Sequence, residues 1–458
     1  MTAPIFLSFL GAIPYAETQY YLGDPERPIA TTPYVQEALL AHLAAQDKTV
    51  GQVWMFVTAD AERNNYRGRI KKFEPDTGTA VMDGNGRGLE ARLADLKAAG
   101  QIGEYEAVPI PDGNTEAEIF KVFGILHEKL SALPEDAEVI FDITYGFRSL
   151  PLLCMVLLRY VRTLHGIRLA NLYYGNYEVG RHEQQQQVAA LRVRGAEPSA
   201  IEAVKNAPAR SPILDLRAFA ELQEWTAAAQ MLMENGSAHA LAALMPPDKR
   251  DIGQAFRDFT DQILTCRGRD LSWRTDMEAM KTAIRELQQQ SDIEIPLGPI
   301  LEKIEQKMAG FSNNTAQNGF AAVQWCIAHG LIQQGYTFLE ETCKSFLIER
   351  THHIADINDP LLRESAKTAL NAIPRHKWLL RENGKPDDKI DRDATVLMQA
   401  VLETYHPELS RAYRRLTGAE GLRNDMNHGG HQPAPKSPDE LKRALVAIFS
   451  DIQTAIGP

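Results

Sequence analysis

The sequence predicts two domains of different class: an α/β domain with a mostly parallel sheet, followed by an all-helical domain. In the first 180 residues, apolar segments of strand length alternate with helical stretches, and this alternation is typical of a parallel sheet. Strand signals largely disappear after residue 177. At 458 residues, the chain is also too long for one ordinary hydrophobic core.

Five strands and two clear helices are predicted in the first domain. The strands occupy residues 4–10, 53–58, 106–110, 138–144 and 168–174, and the helices occupy residues 34–46 and 116–132. Glycines and charged residues are frequent in segment 62–92. We interpret that segment as a hairpin or loop inserted into one of the early crossovers.

Residues 181–212 are predicted to connect the two domains. The segment begins with a polar, glutamine-rich run, and it ends with Pro208 and Pro212, which are typical of a linker or a sharp turn. From residue 213 to residue 458 the apolar pattern is helical. Its clearest helices are predicted at residues 218–233, 271–290, 300–308, 319–348 and 396–404.

The composition limits the classes of partner and compartment. A net charge of −11 argues against a broad grip on duplex nucleic acid, which requires a basic face. Arg411, Arg414 and Arg415 could still supply local positive potential, although a solvated amphipathic helix is the simpler explanation of each. Apolar runs are shorter than a membrane span, and the four cysteines form no Cys-x2-Cys pair. We therefore expect a cytoplasmic protein with free thiols, no metal site and no membrane partner.

The segment after the fourth predicted strand has the features of an anion-binding corner. Residues 142–151 read Asp-Ile-Thr-Tyr-Gly-Phe-Arg-Ser-Leu-Pro, and an apolar helix follows. With Gly146 in the turn and Ser149 as N-cap, free N–H groups, the helix dipole and Arg148 would face one point, which suits a phosphate. A tight crossover with a solvated Arg148 is the alternative. We interpret the Asp142 carboxylate as an anchor for loop N–H groups, since it would repel a phosphate.

The first predicted strand supplies a matching loop. It runs into Gly11 and a loop of small residues, with Tyr15, Tyr20 and Tyr21 close behind. Open parallel sheets bind ligands beyond the carboxyl ends of their strands, where the strand order reverses. We therefore predict that this loop and the loop after Thr144 share one crevice. The chain contains neither G-x-G-x-x-G nor G-x-x-x-x-G-K-[ST], so dinucleotide and P-loop sites lack their main support.

Near the C-terminus, Arg423 and His428 form an Arg-x4-His motif, and Asn424 directly follows the arginine. An imidazole can transfer a proton between the 2′-hydroxyl and the leaving 5′-oxygen of RNA, and a guanidinium can neutralise charge on the phosphorane. The motif therefore suits RNA cleavage without a metal. Two glycines follow His428, so a helix C-terminus with a favourable charge in its last turn is the alternative.

Taken together, these segments resemble the type III CRISPR ancillary ribonucleases. The resemblance rests on Ser-Phe-Leu-Gly at residues 8–11, on the decapeptide at residues 142–151 and on the C-terminal Arg-x4-His. Two further segments, residues 212–225 and 325–336, are similar to the helical half of that family. The resemblance spans nearly the whole chain in the correct order, and the decapeptide is its most specific part. In that family, a Rossmann-like CARF domain binds a cyclic oligoadenylate, and an all-helical HEPN domain cleaves RNA.

The resemblance implies a CARF domain over residues 1–180 and a HEPN domain over residues 213–458. It implies a homodimer or higher homo-oligomer in which the cyclic oligoadenylate, as allosteric activator, binds across two CARF domains. No other cofactor is implied. The residues implied to contact the activator are Ser8, Phe9, Leu10, Gly11, Thr144, Tyr145, Gly146, Phe147, Arg148 and Ser149.

The resemblance also implies that two Arg423/His428 pairs meet in one composite site that cleaves single-stranded RNA. His428 would transfer the proton, Arg423 would stabilise the phosphorane, and Asn424 would position the scissile phosphate, leaving a 2′,3′-cyclic phosphate. Two alternatives remain. One is a non-catalytic cyclic-nucleotide sensor that regulates a partner protein. The other is a metabolic enzyme with a nucleotide substrate, which lacks a phosphate fingerprint and leaves the helical half unexplained.

Overall fold

The chain divides into two compact units, Met1–Glu221 and Leu222–Pro458. A computed structural model describes residues 3–145, 150–290, 297–313, 315–352, 357–372, 389–417 and 434–457, together with the single residues 422, 426, 429 and 431.

The first unit is built on a mixed sheet. In chain order, its strands are β1 (Ile5–Leu10), β2 (Thr18–Leu22), β3 (Pro28–Thr32), β4 (Val50–Val57), β5 (Ile70–Phe73), β6 (Ala80–Met82), β7 (Ile102–Pro109), β8 (Glu138–Asp142), β9 (Arg168–Gly175) and β10 (Ala209–Asp215). Eight of them form one sheet in the order β3-β2-β10-β9-β8-β1-β4-β7. The five strands from β9 to β7 in this order run parallel, so the predicted α/β class with a mostly parallel sheet is confirmed.

Helices connect the strands of this sheet. They are α1 (Val35–Ala45), α2 (Leu89–Ala98), α3 (Glu116–Ser131), α4 (Leu150–His165), α5 (Tyr177–Val193) and α6 (Pro198–Asn206). The chain moves outward from β1 to β4 and β7, and it then returns to the other side of β1 with β8 and β9. The strand order therefore reverses between β1 and β8.

Apolar side chains cover both faces of the sheet. Every residue of β1 is buried, and its side chains alternate between two cores because successive residues of a strand point to opposite faces. Phe6 and Leu10 belong to one core, and Ile5, Leu7 and Phe9 belong to the other. Burial on both faces explains why a continuous apolar run predicts this strand.

The segment predicted to connect the domains, residues 181–212, lies within the compact unit Met1–Glu221. It contains most of α5, all of α6 and part of β10. β10 pairs with β2 on one side and with β9 on the other. Pro212 has no N–H group, but its carbonyl accepts a 2.9 Å hydrogen bond from Asn176 N. A proline that is typical of a linker is therefore accommodated inside a sheet.

The insertion predicted at residues 62–92 contains a hairpin, as expected. β5 and β6 form a separate two-stranded antiparallel sheet. The same segment also contains a π-helical stretch, Glu62–Arg67, and its last residues begin α2. The edge strand β3 and its neighbour β2 were not predicted.

The second unit is helical within its described residues. Its helices, the first of which begins just before the unit, are α7 (Arg217–Asn235), α8 (His239–Ala243), α9 (Arg250–Leu264), α10 (Gly268–Trp273), α11 (Met277–Gln290), α12 (Gly298–Met308), α13 (Gln317–Ala328), α14 (Ile332–Thr351), α15 (Pro360–Leu370), α16 (Arg392–Tyr405), α17 (Pro407–Thr417) and α18 (Pro438–Ile456). They surround one large apolar core.

Two of the predicted helices are each two helices in the structure. The helix predicted at residues 319–348 is interrupted at Gly330, whose φ of +69° is a left-handed conformation that favours glycine. The helix predicted at residues 271–290 is interrupted before α11, where the Asp276 carboxylate accepts a 2.9 Å hydrogen bond from Ala279 N. Asp276 thus caps the start of a new helix.

Candidate functional site

The candidate site lies where the strand order of the sheet reverses. β1 pairs with β8 in parallel, and Ser8 lies opposite Asp142. The loops that follow these two strands therefore leave the same edge of the sheet side by side. This is the position at which open α/β sheets bind ligands. The two loops start side by side, and a crevice shared between them stays a prediction.

Asp142 joins these elements through its buried carboxylate. Its Oδ2 accepts a 2.7 Å hydrogen bond from the Ser8 hydroxyl. Its Oδ1 accepts a 3.1 Å bond from Thr144 N and another from the Thr144 hydroxyl. The interpretation of Asp142 as an anchor for loop N–H groups is confirmed. Because the carboxylate is engaged within the protein, its charge is not directed at the crevice.

Burial raises the pKa of Asp142 to about 6, and the hydrogen bonds from Thr144 and Ser8 oppose this increase. Desolvation thus exceeds the effect of three donated hydrogen bonds. The group therefore titrates at mildly acidic pH rather than near pH 4.

The hydrogen bonds around Asp142 extend to two further elements. Thr144 Oγ1 accepts a 2.7 Å hydrogen bond from Gly175 N, at the end of β9. On the other side, Gln36 Nε2 of α1 donates to Ser8 Oγ and to the Phe9 carbonyl, each at 3.0 Å. The carboxyl ends of three neighbouring strands are thereby held in fixed positions.

The loop after β1 is fixed by side chains distant in sequence. Asn65 Nδ2 donates to the carbonyls of Gly11 and Ile13, each at 2.8 Å, and Asn64 Nδ2 donates to the Ala12 carbonyl at 3.1 Å. Both asparagines come from the π-helical stretch of the insertion. Their role was not predicted from the sequence, because two adjacent asparagines in a polar segment are typical of any turn.

Three tyrosines form the wall beside this loop. The rings of Tyr15 and Tyr145 lie 4.2 Å apart between centroids, and the hydroxyls of Tyr20 and Tyr145 are 3.1 Å apart. Burial raises the pKa of Tyr20 to about 12 and also raises the pKa of the other two, so all three stay neutral at physiological pH. Together they give the site an aromatic wall with neutral hydroxyls.

Gly11 packs closely against this wall. Its N–H donates a 2.7 Å hydrogen bond to the Tyr15 hydroxyl, and a Cβ at this position would lie 2.6 Å from the same oxygen. A larger residue would therefore have to displace Tyr15. This contact accounts for the glycine without any left-handed backbone conformation.

The predicted activator contacts fall into three groups. Ser8, Phe9 and Leu10 are buried in the unit, so their side chains support the crevice from below rather than line it. Gly11, Thr144 and Tyr145 are half-buried and lie at the starts of the two loops. The remaining four, Gly146, Phe147, Arg148 and Ser149, lie outside the described residues.

The proposed catalytic residues Arg423, Asn424 and His428 also lie outside the described residues. In the same segment, Leu422 and Met426 are half-buried and pack against the helical core.

Two arginines of α17, which precedes this segment, have carboxylate partners. Arg411 forms a 2.8 Å ion pair with Glu408, and Arg415 pairs with Asp451. Arg414 Nε donates to the Ser410 carbonyl at 3.3 Å. Most of the local positive potential that these residues could supply is thus neutralised.

Metal-binding groups, thiols and apolar helices were also compared with the predictions from the sequence. They contain no group of three or more histidine, cysteine or acidic side chains able to hold a metal ion. The four cysteines are free thiols, of which Cys154, Cys326 and Cys343 are buried, as predicted. Within the described part of the chain, no helix has both the length and the apolar character to cross a membrane.

The fold and the site define an α/β unit in which the loops after β1 and β8 start side by side at the reversal of strand order, together with a helical unit. The chain is similar to the CRISPR-associated protein MJ1674 of Methanocaldococcus jannaschii, with 22% identity over 162 residues. The similar region covers 35% of this chain and spans only 22% of the length of that protein. No protein family model matches the chain.

Proposed function

We propose that the protein is a CRISPR-associated single-strand RNA endonuclease that a cyclic oligoadenylate activates. The observation that carries the proposal is the parallel pairing of β1 with β8, where the strand order reverses and the Asp142 carboxylate is held by Ser8 and Thr144. The hydrogen bonds from Ser8 and Thr144 hold this carboxylate within the protein, so that it does not itself occupy the position of an anionic ligand. The most specific segment of the family resemblance begins at this residue, and the similar protein is named as CRISPR-associated.

The first unit would act as a CARF-type sensor. Backbone N–H groups of residues 146–149 and the Arg148 guanidinium would bind phosphates of the activator. Gly11 would allow its close approach to the loop after β1, and Tyr145 would offer a ring surface to an adenine. A cyclic ligand that spans two such sites would favour one geometry of a homodimer or higher homo-oligomer.

The second unit would act as a HEPN-type nuclease. In the dimer, His428 would transfer the proton from the attacking 2′-hydroxyl, Arg423 would stabilise the phosphorane, and Asn424 would position the scissile phosphate. The chemistry would need no metal and would leave a 2′,3′-cyclic phosphate. Activation would then be a coupling between activator binding and the alignment of the two motifs.

A non-catalytic sensor that regulates a partner protein is the second candidate. It is favoured by the ion pairs of Arg411 and Arg415, which leave little free positive charge on α17 for an RNA strand. Incubation of the purified protein with labelled RNA and a panel of cyclic oligoadenylates separates the two candidates. Activator-dependent cleavage supports the endonuclease, and binding of the activator without cleavage supports the sensor.

A further inference from the structure

A second candidate site lies entirely within the helical unit. A half-enclosed cavity of about 220 Å³ opens among α10, α13, α14 and α15. Its wall combines hydroxyl groups with charged side chains. The members that matter here are Arg269, Ser272, Glu341, Thr342 and Arg363.

Two hydroxyls in this wall have no hydrogen-bond partner in the part of the chain that the structure describes. Ser272 and Thr342 are only 6% and 5% exposed. Among the described residues, neither hydroxyl takes part in a hydrogen bond, and neither oxygen is sealed away from the cavity. Most buried hydroxyls in proteins are hydrogen-bonded, and both of these hydroxyls line the cavity, so they are available to a bound molecule.

Two other hydroxyls of α14, the helix that contains Thr342, are hydrogen-bonded to the backbone. Thr337 and Ser345 donate to the carbonyls of the residues four positions earlier, Gln333 and Glu341, at 3.1 and 3.0 Å. This is the usual arrangement for a helical serine or threonine. Thr342 does not adopt it, and its hydroxyl lies against Gly319, where a Cβ would come within 2.0 Å of the oxygen.

The charged groups of the cavity are of two kinds. The Glu341 carboxylate is fixed by Arg363 and by Lys344, whose Nζ lies 2.6 Å away. An oxygen that accepts one hydrogen bond can accept a second, so Glu341 can still receive a hydroxyl donor. Arg269 is exposed at the opening, and within the described residues its guanidinium has no partner.

We propose that this cavity binds one ribonucleotide unit of a single-stranded RNA. The 2′-hydroxyl of an internal ribose can donate one hydrogen bond to the Glu341 carboxylate and accept one each from the Ser272 and Thr342 hydroxyls. Arg269 would pair with the adjoining phosphate. The volume is below the range of ~300–1,000 Å³ typical of sites for drug-sized ligands, so it suits one nucleotide unit rather than a cyclic oligonucleotide. The inference rests on the proposed function, since it names a contact for the RNA substrate.

The test compares RNA with DNA, because the 2′-hydroxyl is the group that distinguishes them. A fluorescein-labelled single-stranded RNA and the DNA of the same sequence are titrated with the full-length protein, and fluorescence anisotropy gives both dissociation constants. Thr342→Val removes one hydroxyl at nearly constant shape. We expect it to weaken RNA binding by about tenfold, the scale of one hydrogen bond, and to leave DNA binding unchanged. Ser272→Ala should act in the same direction.

Thr226→Val is the matched control, since that hydroxyl is bonded to the Leu222 carbonyl and lies outside the cavity. Arg269→Ala should weaken the binding of RNA and of DNA equally. It should also reduce the slope of log K against log[salt] by about one, because one phosphate contact is lost. Unchanged RNA affinity in Thr342→Val and Ser272→Ala, in protein with wild-type thermal unfolding, would overturn the proposal, as would equal losses for RNA and DNA.

Cleavage is measured separately in the same variants. If the wild type binds RNA through Thr342 but never cleaves it, the endonuclease proposal fails and the cavity stands. If cleavage is activator-dependent and both hydroxyl variants bind RNA as the wild type does, the cavity proposal fails and the endonuclease stands.

Discussion

The Ser8 hydroxyl donates a 2.7 Å hydrogen bond to the Asp142 carboxylate across the parallel pair of β1 and β8, and both residues are fully buried. This bond joins the two strands between which the strand order reverses. Because Asp142 also accepts two hydrogen bonds from Thr144, the same carboxylate fixes the start of the loop after β8. The geometry of the crevice thus depends on one buried acid.

Asp142 should make the stability of the first unit depend on pH. Burial raises its pKa to about 6 from an ordinary value of 3.8. Between these two values the folded protein holds a proton that the unfolded chain has lost, so this contribution to stability is complete below pH 4 and is lost as the pH rises to about 6. A shift of this size corresponds to about 3 kcal/mol.

The side chain of the Asp142→Asn variant cannot titrate. The free energy of unfolding of this variant should therefore not show the loss that Asp142 causes between about pH 4 and pH 6. Urea unfolding at several values between pH 4 and pH 7, followed by circular dichroism, gives the free energy of unfolding for both proteins. The difference between wild type and variant isolates this group from other titrations. Parallel curves for the two proteins would show that Asp142 does not titrate in this range.

Gly11→Ala should weaken binding of the cyclic activator by tenfold or more. The added Cβ would lie 2.6 Å from the Tyr15 hydroxyl and would displace the ring that accepts the hydrogen bond from Gly11 N. Gly124→Ala is the matched control, because a Cβ there meets nothing within 4 Å. Isothermal calorimetry with both variants provides the measurement. Equal affinity of Gly11→Ala and the wild type for the cyclic activator would show that this loop is not part of the binding site.

The strands around the crevice were predictable because they are buried on both faces, and such strands are continuous apolar runs. β10 was missed because Pro208 and Pro212 are typical of a linker, although Pro212 contributes its carbonyl to the sheet. Asn64 and Asn65 could not be identified, since their role depends on carbonyls more than fifty positions away in sequence. Asp142 was interpreted correctly as an anchor for the loop, because an acid in an apolar strand needs hydrogen-bond donors close by, and Thr144 supplies them.

Arg148→Ala should raise the half-activating concentration of the cyclic oligoadenylate by roughly tenfold to a hundredfold. The variant loses a charge-assisted hydrogen bond to a phosphate, typically ~1.5–3 kcal/mol. Saturating activator should restore much of the cleavage, since the motif for catalysis is in the other unit. Arg159→Ala is the control, as it removes an exposed arginine from the helix that follows the same loop. An unchanged half-activating concentration would exclude Arg148 as a phosphate ligand.

Arg423→Ala and His428→Ala should each reduce RNA cleavage by on the order of 10² or more, the usual effect of losing a charge stabiliser or a general acid–base group. Activator binding should persist in both. Arg414→Ala removes an arginine of α17 that is bonded to a backbone carbonyl, and it serves as the control. Single-turnover cleavage of labelled RNA provides the rates. A wild-type cleavage rate in either variant would show that the substituted residue has no catalytic role.

The most direct test of the account is cleavage of a labelled single-stranded RNA by the wild-type protein in excess EDTA, with and without each of a panel of cyclic oligoadenylates. The account predicts cleavage with at least one ring size, little without activator, and products that end in a 2′,3′-cyclic phosphate. Cleavage that requires a divalent ion would contradict the metal-free chemistry. No cleavage with any activator, together with no heat of binding for any of them in the calorimeter, would contradict both the sensor and the nuclease.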